Sequence, residues 1–265
     1  MNFLSYLRIW LASARYSIVR TLMFRFDFFL WAMVELFWMS VNLLLITVIY
    51  RHTDSIAGWS KYEMIFLVGT AMLIQRYVMG FFWSNLFEMS RNIRMGTFDF
   101  FLAQPGNPLF MVSTRKLDPD GLCNSFIAMA VVIYAGHQLG LHPGIGDLAI
   151  YALMILGGVI IHFSVLVISA SLTFWTTGGD SIVGTYFSLF EFSRLPRAAF
   201  KGVVSNVVFV WLLPVVIVSN APASTLLHGF QPTYAAWLFA VALAWLAVAI
   251  FVFQRGIGRY ASASS

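Results

Sequence analysis

Long uninterrupted runs of apolar side chains divide this sequence into six stretches, each close to the roughly 20 residues that a membrane-spanning helix needs. Apolar side chains are continuous within each run, whereas the strands of a membrane barrel alternate apolar and polar positions. The pattern therefore predicts an all-α membrane protein with six spans, which are residues 28–50, 64–87, 122–139, 148–172, 202–220 and 233–254.

The first 26 residues have a different pattern, in which leucines recur at helical spacing and arginines fall between them. Leu4, Leu7 and Leu11 share one helical face, while Arg8 and Arg15 lie elsewhere. This spacing predicts an amphipathic helix lying in the membrane interface. Two roles stay open for it, a simple anchor and an element that receives force from a partner.

Composition excludes an ordinary soluble domain. Of the 265 residues, 60% are hydrophobic and only 10% are charged, against about 25% charged in a typical soluble domain. The mean hydropathy is +0.82. A single cysteine, Cys123, excludes both a disulfide framework and a cluster of thiolate metal ligands.

The net charge of +5 is informative through its position in the chain. Between the predicted spans, 13 of the 16 Lys and Arg residues fall on one side, whereas Arg51 and Lys61 fall on the other. Basic residues accumulate on the cytoplasmic side of membrane proteins. We therefore expect a multi-pass protein with both termini in the cytoplasm and no role in nucleic-acid binding.

Ionisable side chains within spans are candidates for function, because burying a charge in lipid is costly. Glu35 and Arg76 are the two formal charges in the predicted spans, and a long arginine on the second span could reach Glu35 on the first. Two interpretations stay open, a structural ion pair and a substrate path. The candidate path residues are Glu35, Arg76, Phe82 and the Trp38-Met39 pair.

The histidines show no spacing typical of a metal site, so we expect no bound metal. His162 lies inside the fourth predicted span, where a packing role is favoured over a ligand role. No phosphate-binding loop or hydrolase motif is found in the sequence either. The chain is therefore not expected to be an enzyme or to hydrolyse a nucleotide by itself.

The loop after the second span has the most specific sequence of the chain. Ser90 is a plausible helix N-cap, Gly96 a break, and residues 98–102 a short helical turn that ends before Pro105. Between Glu88 and Phe110, two arginines, an aspartate and four phenylalanines suggest a knob that docks into another protein. The alternative is a loop that packs against its own bundle.

The segment from Gly96 to Phe110, GTFDFFLAQPGNPLF, resembles the region after the second span in type-2 ABC transporter permeases, most closely an uncharacterised six-span subfamily. A later succession also resembles that subfamily, although Leu195 stands where an aromatic residue commonly precedes the proline. Its parts are Thr173-Phe174-Trp175, the segment 187–196, Leu213-Pro214 and Asn220-Ala221-Pro222-Ala223.

The resemblance implies a single transmembrane domain over residues 1–265 with the type-2 ABC exporter fold. Residues 1–26 would form its elbow helix, and the stretch from Ala221 to His228 short external re-entrant helices. The loop would form a cytoplasmic coupling helix that contacts the ATPase, through Glu88, Arg91, Arg94, Gly96, Phe98 and Asp99.

The implied partners are two cytoplasmic ATP-binding cassette subunits, which would bind ATP and magnesium, a second permease and membrane lipid. We expect a bacterial inner-membrane exporter subunit that moves an amphipathic or cationic xenobiotic-like compound, with a lipid or glycan precursor as the second candidate. The alternative function is that of an ATP-independent polytopic membrane enzyme or a secondary carrier.

Overall fold

The structure is a computed structural model that describes residues 2–23, 25–176, 179–200, 202–203 and 207–260. These residues form helices joined by turns, and no β-strand occurs among them. The α-helices in chain order are α1 (Phe3–Met23), α2 (Arg25–Ile49), α3 (Lys61–Val78), α4 (Ser84–Arg94), α5 (Asp99–Leu102), α6 (Pro108–Ser113), α7 (Pro119–Gln138), α8 (Ile145–Ser171), α9 (Gly179–Glu191), α10 (Val215–His228) and α11 (Pro232–Ile257).

Local sequence explains where several helices begin. Pro108, Pro119 and Pro232 occupy the first turns of α6, α7 and α11, where a missing backbone N–H leaves no hydrogen bond unmade. Glu63 accepts a hydrogen bond from the Ser60 backbone N–H at 2.7 Å, which caps the start of α3.

Among the described residues, five helices are long and apolar enough to cross a membrane. They are 28–49 within α2, the continuous segment Lys61–Arg94, α7, α8 with its 3-10 extension to Phe174, and α11. They correspond to the first, second, third, fourth and sixth predicted spans. Lys61–Arg94 contains 34 residues and includes a π-helical segment at Met79–Trp83 between α3 and α4.

The fifth predicted span, 202–220, does not form one helix. Its described part contains a π-helical segment at Val207–Leu212, a turn at Leu213-Pro214 and the beginning of α10, while residues 204–206 lie outside the described part. Pro214 lacks a backbone N–H and restricts the residue before it, so it ends the preceding helical segment. Pro222 lies inside α10 and does not end it.

The elements meet at two ends of the bundle. The loop end contains the segment 95–118 together with residues 172–176 and 253–260; the opposite end contains the connections 50–60, 139–144 and 229–231. At the loop end, α1 docks through Tyr6, whose hydroxyl accepts a hydrogen bond from the Asn107 N–H, and through Ser17, whose hydroxyl accepts one from Leu117. The described N-terminal and C-terminal residues therefore both lie at the loop end.

The core lies around α3, which packs against α7, α8 and α10, while α8 also packs along α11. A close approach of two glycines allows α7 to pack against the π-helical segment. A Cβ atom at Gly121 would lie 2.9 Å from the backbone nitrogen of Gly80. The Gly80 carbonyl also accepts a hydrogen bond of 2.8 Å from the Asp118 N–H.

Candidate coupling and translocation sites

Gly96 divides the coupling segment into two helical parts. α4 continues to Arg94, and Gly96 then adopts φ +69°, a left-handed conformation that favours glycine. α5 follows as a single turn, as the sequence predicts. Ser90 is not an N-cap, because it lies inside α4, where its hydroxyl shares a 2.6 Å hydrogen bond with Thr173 at the end of α8.

Phe98 occupies an aromatic cage, which we define as the rings of Phe101, Phe174, Phe253 and Tyr260 around it. The ring centroids lie 5.8, 5.5, 6.4 and 5.4 Å from that of Phe98, which is fully buried. Three of these partners belong to the ends of α8 and α11. The cage therefore attaches the coupling segment to its own bundle, so that Phe98 itself is not available for docking.

Gly256 on α11 allows the cage to close. A Cβ atom there would clash with the ring of Phe174, because that ring lies directly against the glycine backbone. Phe174 belongs to the Thr173-Phe174-Trp175 motif, so the structure gives this motif a structural role in the cage.

Other predicted coupling residues lie on the surface of the loop end. Arg91 and Arg94 are exposed, as are Met95 and Phe100, whose side chain is 54% accessible. The Arg115 guanidinium lies 5.0 Å from the centroid of the Phe100 ring. Basic and apolar groups thus share one accessible surface, which we call the coupling surface.

Glu88 and Asp99, the predicted acidic members, are half-buried. Glu88 forms an ion pair with Lys116 on the chain that returns toward α7. Asp99 is the first residue of α5, where a negative charge is favourable at a helix N-terminus.

Asp118 fastens the end of the loop to the π-helical region. Its carboxylate accepts a hydrogen bond from the Ser84 hydroxyl. Burial raises the pKa of Asp118, and Asp120 adds to the rise, while the Ser84 hydrogen bond opposes both. The chain segment from Ser90 to Asp118 is therefore fixed to the bundle at both of its ends. Ser90 and Phe98 hold its beginning, and Asp118 holds its last residue.

A second candidate site lies at mid-height, where α2, α3 and α7 meet. The Arg76 guanidinium is 2.5 Å from the Glu35 carboxylate, so the predicted contact between these residues is confirmed. Met39 and Asn124 line a small void beside this ion pair. The buried Asn124 carbonyl oxygen faces no hydrogen-bond partner among the described residues.

Arg194 extends this charged region toward the broken segment that follows α9. It donates hydrogen bonds of 3.1 Å to Asn42 and to Gln75, and it forms an ion pair of 2.9 Å with Glu191. Gln75 directly precedes Arg76 on α3. We call Glu35, Arg76, Arg194 and Glu191, with their amide partners, the mid-height network.

The 13 basic residues that the sequence places on one side include Arg194 and Arg197, but the structure brings these two side chains into contact with the bundle. Arg197 donates a 2.9 Å hydrogen bond to the hydroxyl of Tyr234, near the start of α11, and therefore lies toward the opposite end. Lys and Arg residues remain concentrated at the loop end without these two. The spacing Glu191-x-x-Arg194 and the following Leu195-Pro196 were the available signals of a helix end within the bundle.

Side chains of α10 satisfy the backbone of this irregular segment. The Asn220 side chain donates a hydrogen bond of 3.0 Å to the Leu195 carbonyl and accepts one of 2.8 Å from the Arg197 N–H. Ser219 donates to the Ser193 carbonyl. Inside a membrane, irregular backbone is tolerated only where protein supplies its hydrogen bonds, and here α10 supplies them.

Two predicted path residues do not join the network. Phe82 lies against Phe163 of α8, with ring centroids 4.7 Å apart, and faces a different side of the bundle. Trp38 is 58% exposed, whereas its neighbour Met39 is buried beside the ion pair.

His162 is a packing residue in this structure. The ring is buried, stacks on Phe190 and shares a 2.9 Å hydrogen bond with the hydroxyl of Tyr186 on α9. Within the described ranges, no group of three or more His, Cys, Asp or Glu side chains could hold a metal ion.

Comparison with known families decides the class of protein. The family model described as "ABC-2 family transporter protein" matches residues 36–264, which is most of the chain. The chain belongs to the ABC-2 transporter family. Neither the curated proteins nor the solved structures contain a significant match.

Membership in the ABC-2 family confirms the resemblance to type-2 ABC permeases. Together with the apolar helices, it identifies a multi-pass membrane protein that forms the permease component of an ABC transporter. Permeases of this family work with ATP-binding cassette subunits and are generally not catalytic themselves.

Proposed function

We propose that this ABC-2 family protein is the permease subunit of an ATP-driven exporter in the bacterial inner membrane. It pairs with a second permease, identical or related, and two ATPase subunits bind ATP and magnesium. The loop end, where most Lys and Arg residues lie, faces the cytoplasm, so both termini are cytoplasmic.

The observation that carries this proposal is the division of the coupling segment into an inner and an outer face. The inner face holds Phe98 in the aromatic cage, while the outer face exposes Arg91, Arg94, Met95 and Phe100. An element that is fixed inside and exposes basic and apolar groups outside is suited to dock in a protein cleft and to transmit its movement.

Movement of the coupling surface would reach the spans along two connections. The first is direct, because α4 continues through the π-helical segment into α3, which carries Arg76. The second passes from Phe98 to Phe174 and Phe253, at the ends of α8 and α11. ATP-driven closure at the loop end would therefore shift α3, α8 and α11 together.

The mid-height network supports a substrate path beside α2 and α9. Arg76 neutralises Glu35, and Glu191 pairs with Arg194, so this region offers polar groups without a net formal charge among these four residues. That balance favours an amphipathic xenobiotic-like compound over a simple cation. A lipid or glycan precursor stays the second candidate.

Crosslinking from the coupling surface tests the partner directly. The photoreactive amino acid p-benzoylphenylalanine would replace Phe100 in the full chain, and Phe230 in a control. Phe230 is 49% exposed but lies at the opposite end. We expect a crosslink at position 100 to a protein with a phosphate-binding loop, and none at position 230.

Transport in vesicles tests the mechanism. The co-purified complex should move substrate only with ATP, and a chain that transports without ATP and without an ATPase would be a secondary carrier instead. A complex whose ATPase faces the opposite end would contradict the proposed orientation.

A further inference from the structure

The small void beside the Glu35–Arg76 ion pair, which we call the ion-pair void, lies where α2, α3 and α7 meet. Three apolar and three polar side chains line it, which are Leu36, Met39 and Ile127, and Glu35, Arg76 and Asn124. Each of the three polar residues belongs to a different helix, α2, α3 or α7. The void is therefore a point where polar groups of three spans converge.

Asn124 brings an unsatisfied hydrogen-bond acceptor to this region. The residue is only 5% exposed, and its side-chain carbonyl oxygen has no hydrogen-bond partner among the described residues. An unpaired buried acceptor costs free energy, so buried polar side-chain atoms in proteins nearly always have a partner, either a protein group or a bound water. The missing partner of Asn124 must be a hydrogen-bond donor.

The ion pair has hydrogen-bonding capacity left for such a partner. One guanidinium nitrogen of Arg76 donates to the Glu35 carboxylate, and another donates to the Met79 sulfur at 3.8 Å, which is a weak acceptor. A guanidinium carries further N–H donors, and a carboxylate has two acceptor oxygens. One small molecule in the void therefore has groups around it that accept hydrogen bonds and a group that donates them.

The size and charge of the ion-pair void select the ligand. Its volume is about 10 Å³, and a cavity needs about 10–15 Å³ to hold one water molecule. A drug-sized ligand needs far more space. A bare metal cation is disfavoured as well, because the positive Arg76 guanidinium lines the void, and because just two of the lining side chains, Glu35 and Asn124, carry oxygen.

We propose that the ion-pair void binds one water molecule. The water donates hydrogen bonds to Asn124 and Glu35 and accepts one from Arg76, which gives it about the three partners that are typical of a buried water. It joins α7 to the ion pair between α2 and α3, so the three spans share one hydrogen-bonded junction at mid-height. The site requires neither an ATPase nor a transported compound, so its test is separate from that of the proposed function.

Radiolytic labelling of the purified full chain in lipid nanodiscs detects such a water. X-ray pulses convert bound water into hydroxyl radicals in place, and these oxidise a neighbouring methionine to its sulfoxide. Met39 lines the void, whereas Met72 is buried one turn before Arg76 on α3 and does not line it. We expect Met39 to oxidise several-fold faster than Met72. Equal rates for the two methionines would overturn the proposal.

A radical scavenger in the solution distinguishes bound water from bulk water that enters the void. The scavenger removes radicals that form in bulk solvent but not those that form at a bound water. Met95, which is 62% exposed, is the solvent reference. Oxidation of Met39 should continue at a scavenger concentration that suppresses oxidation of Met95. Parallel suppression of both would mean that the void is open to solvent and would contradict a bound water.

Two substitutions of Asn124 test its part in the site. Asn124→Leu replaces the acceptor by an apolar side chain of similar size, so the oxidation of Met39 should fall to the rate of Met72. Asn124→Ser keeps a polar oxygen and leaves more room, so the fast oxidation should persist. Loss of the fast oxidation in both variants, or in neither, would contradict the assignment of Asn124.

The part of the ion pair is tested by Glu35→Leu combined with Arg76→Leu. This variant keeps Asn124 but removes the other two partners of the water, so the oxidation of Met39 should again fall to the rate of Met72. Persistent fast oxidation would overturn the assignment to the ion pair. Met72 also reports on folding in every variant, because unfolding would raise its own oxidation.

Discussion

The aromatic cage at the loop end and the mid-height network hold neighbouring helices together with opposite chemistry. The cage joins α5, α8 and α11 through ring contacts around Phe98, all of them apolar apart from one tyrosine hydroxyl. The network joins α2, α3 and the end of α9 through two ion pairs and amide hydrogen bonds.

This difference has a mechanical consequence. The attraction between packed rings falls as their surfaces separate, and a ring that shifts out of place leaves a void. Ion pairs and amide hydrogen bonds can exchange partners, because Arg194 already contacts Asn42, Gln75 and Glu191. The cage is therefore suited to transmit a displacement, and the network to adapt to one.

Removal of the Phe98 ring from the cage should have the largest effect. Phe98→Ala should lower the free energy of unfolding by about 3–5 kcal/mol, because it leaves a cavity between three elements. It should also uncouple ATPase activity from transport. Phe100→Ala is the control, since it should leave thermal stability nearly unchanged while it weakens ATPase binding.

Loss of one network charge should have the next largest effect. Arg76→Met leaves Glu35 without its partner and should destabilise the protein by about 3 kcal/mol, at the lower end for a buried pair because Glu35 stays partly exposed. The double variant Glu35→Gln, Arg76→Met should recover most of that loss. Thermal unfolding of the three proteins measures this coupling, and equal losses in single and double variants would argue against a direct pair.

Crowding the cage should cost less than emptying it. Gly256→Ala places a methyl group against the Phe174 ring and should destabilise by about 1–3 kcal/mol as the ring shifts. Gly258→Ala is a matched control two residues later, where a Cβ would lie 3.5 Å from its nearest neighbour. Similar thermal midpoints for the two variants would mean that the Phe174 contact is not tight.

The smallest expected effect concerns Asp118, which fastens the end of the loop to the π-helical region. Its pKa is raised by burial above the ordinary value of 3.8, so the folded state holds the proton at pH values where the unfolded state has lost it. Stability from this group is fully present below pH 3.8 and is lost as the pH rises through the folded pKa. Asp118→Asn should flatten this fall in thermal unfolding measured across the acidic range; an unchanged slope would assign it to another group.

Hydropathy was sufficient to predict the five long helices, because each contains a run of apolar residues long enough to dominate its window. It failed at 202–220, where the mean hydropathy is high but Pro214 interrupts the helix. The hydrogen bonds from Ser219 and Asn220 that stabilise the irregular segment join residues more than 20 positions apart, so a local pattern does not show them.

The candidate sites were predictable to different degrees. The Glu35–Arg76 pair followed from two charges on consecutive spans. The inward orientation of the Phe98 side chain could not be predicted from the sequence, because phenylalanines in a loop suit a docking surface and a buried cage equally well. Arg194 resembled a topology marker, since its burial depends on the fold of α9 and α10 rather than on its neighbours in sequence.

The continuous helical segment Lys61–Arg94 connects the loop end to the mid-height network. At a rise of 1.5 Å per residue, its 34 residues span about 51 Å, well beyond a hydrocarbon core of about 30 Å. Arg76 and Arg94 lie about 27 Å apart on this one rod. A tilt imposed at Arg94 therefore reaches the ion pair without a flexible loop between them, and the π-helical segment at Met79–Trp83 is the place along it where the twist of the rod departs from α-helical.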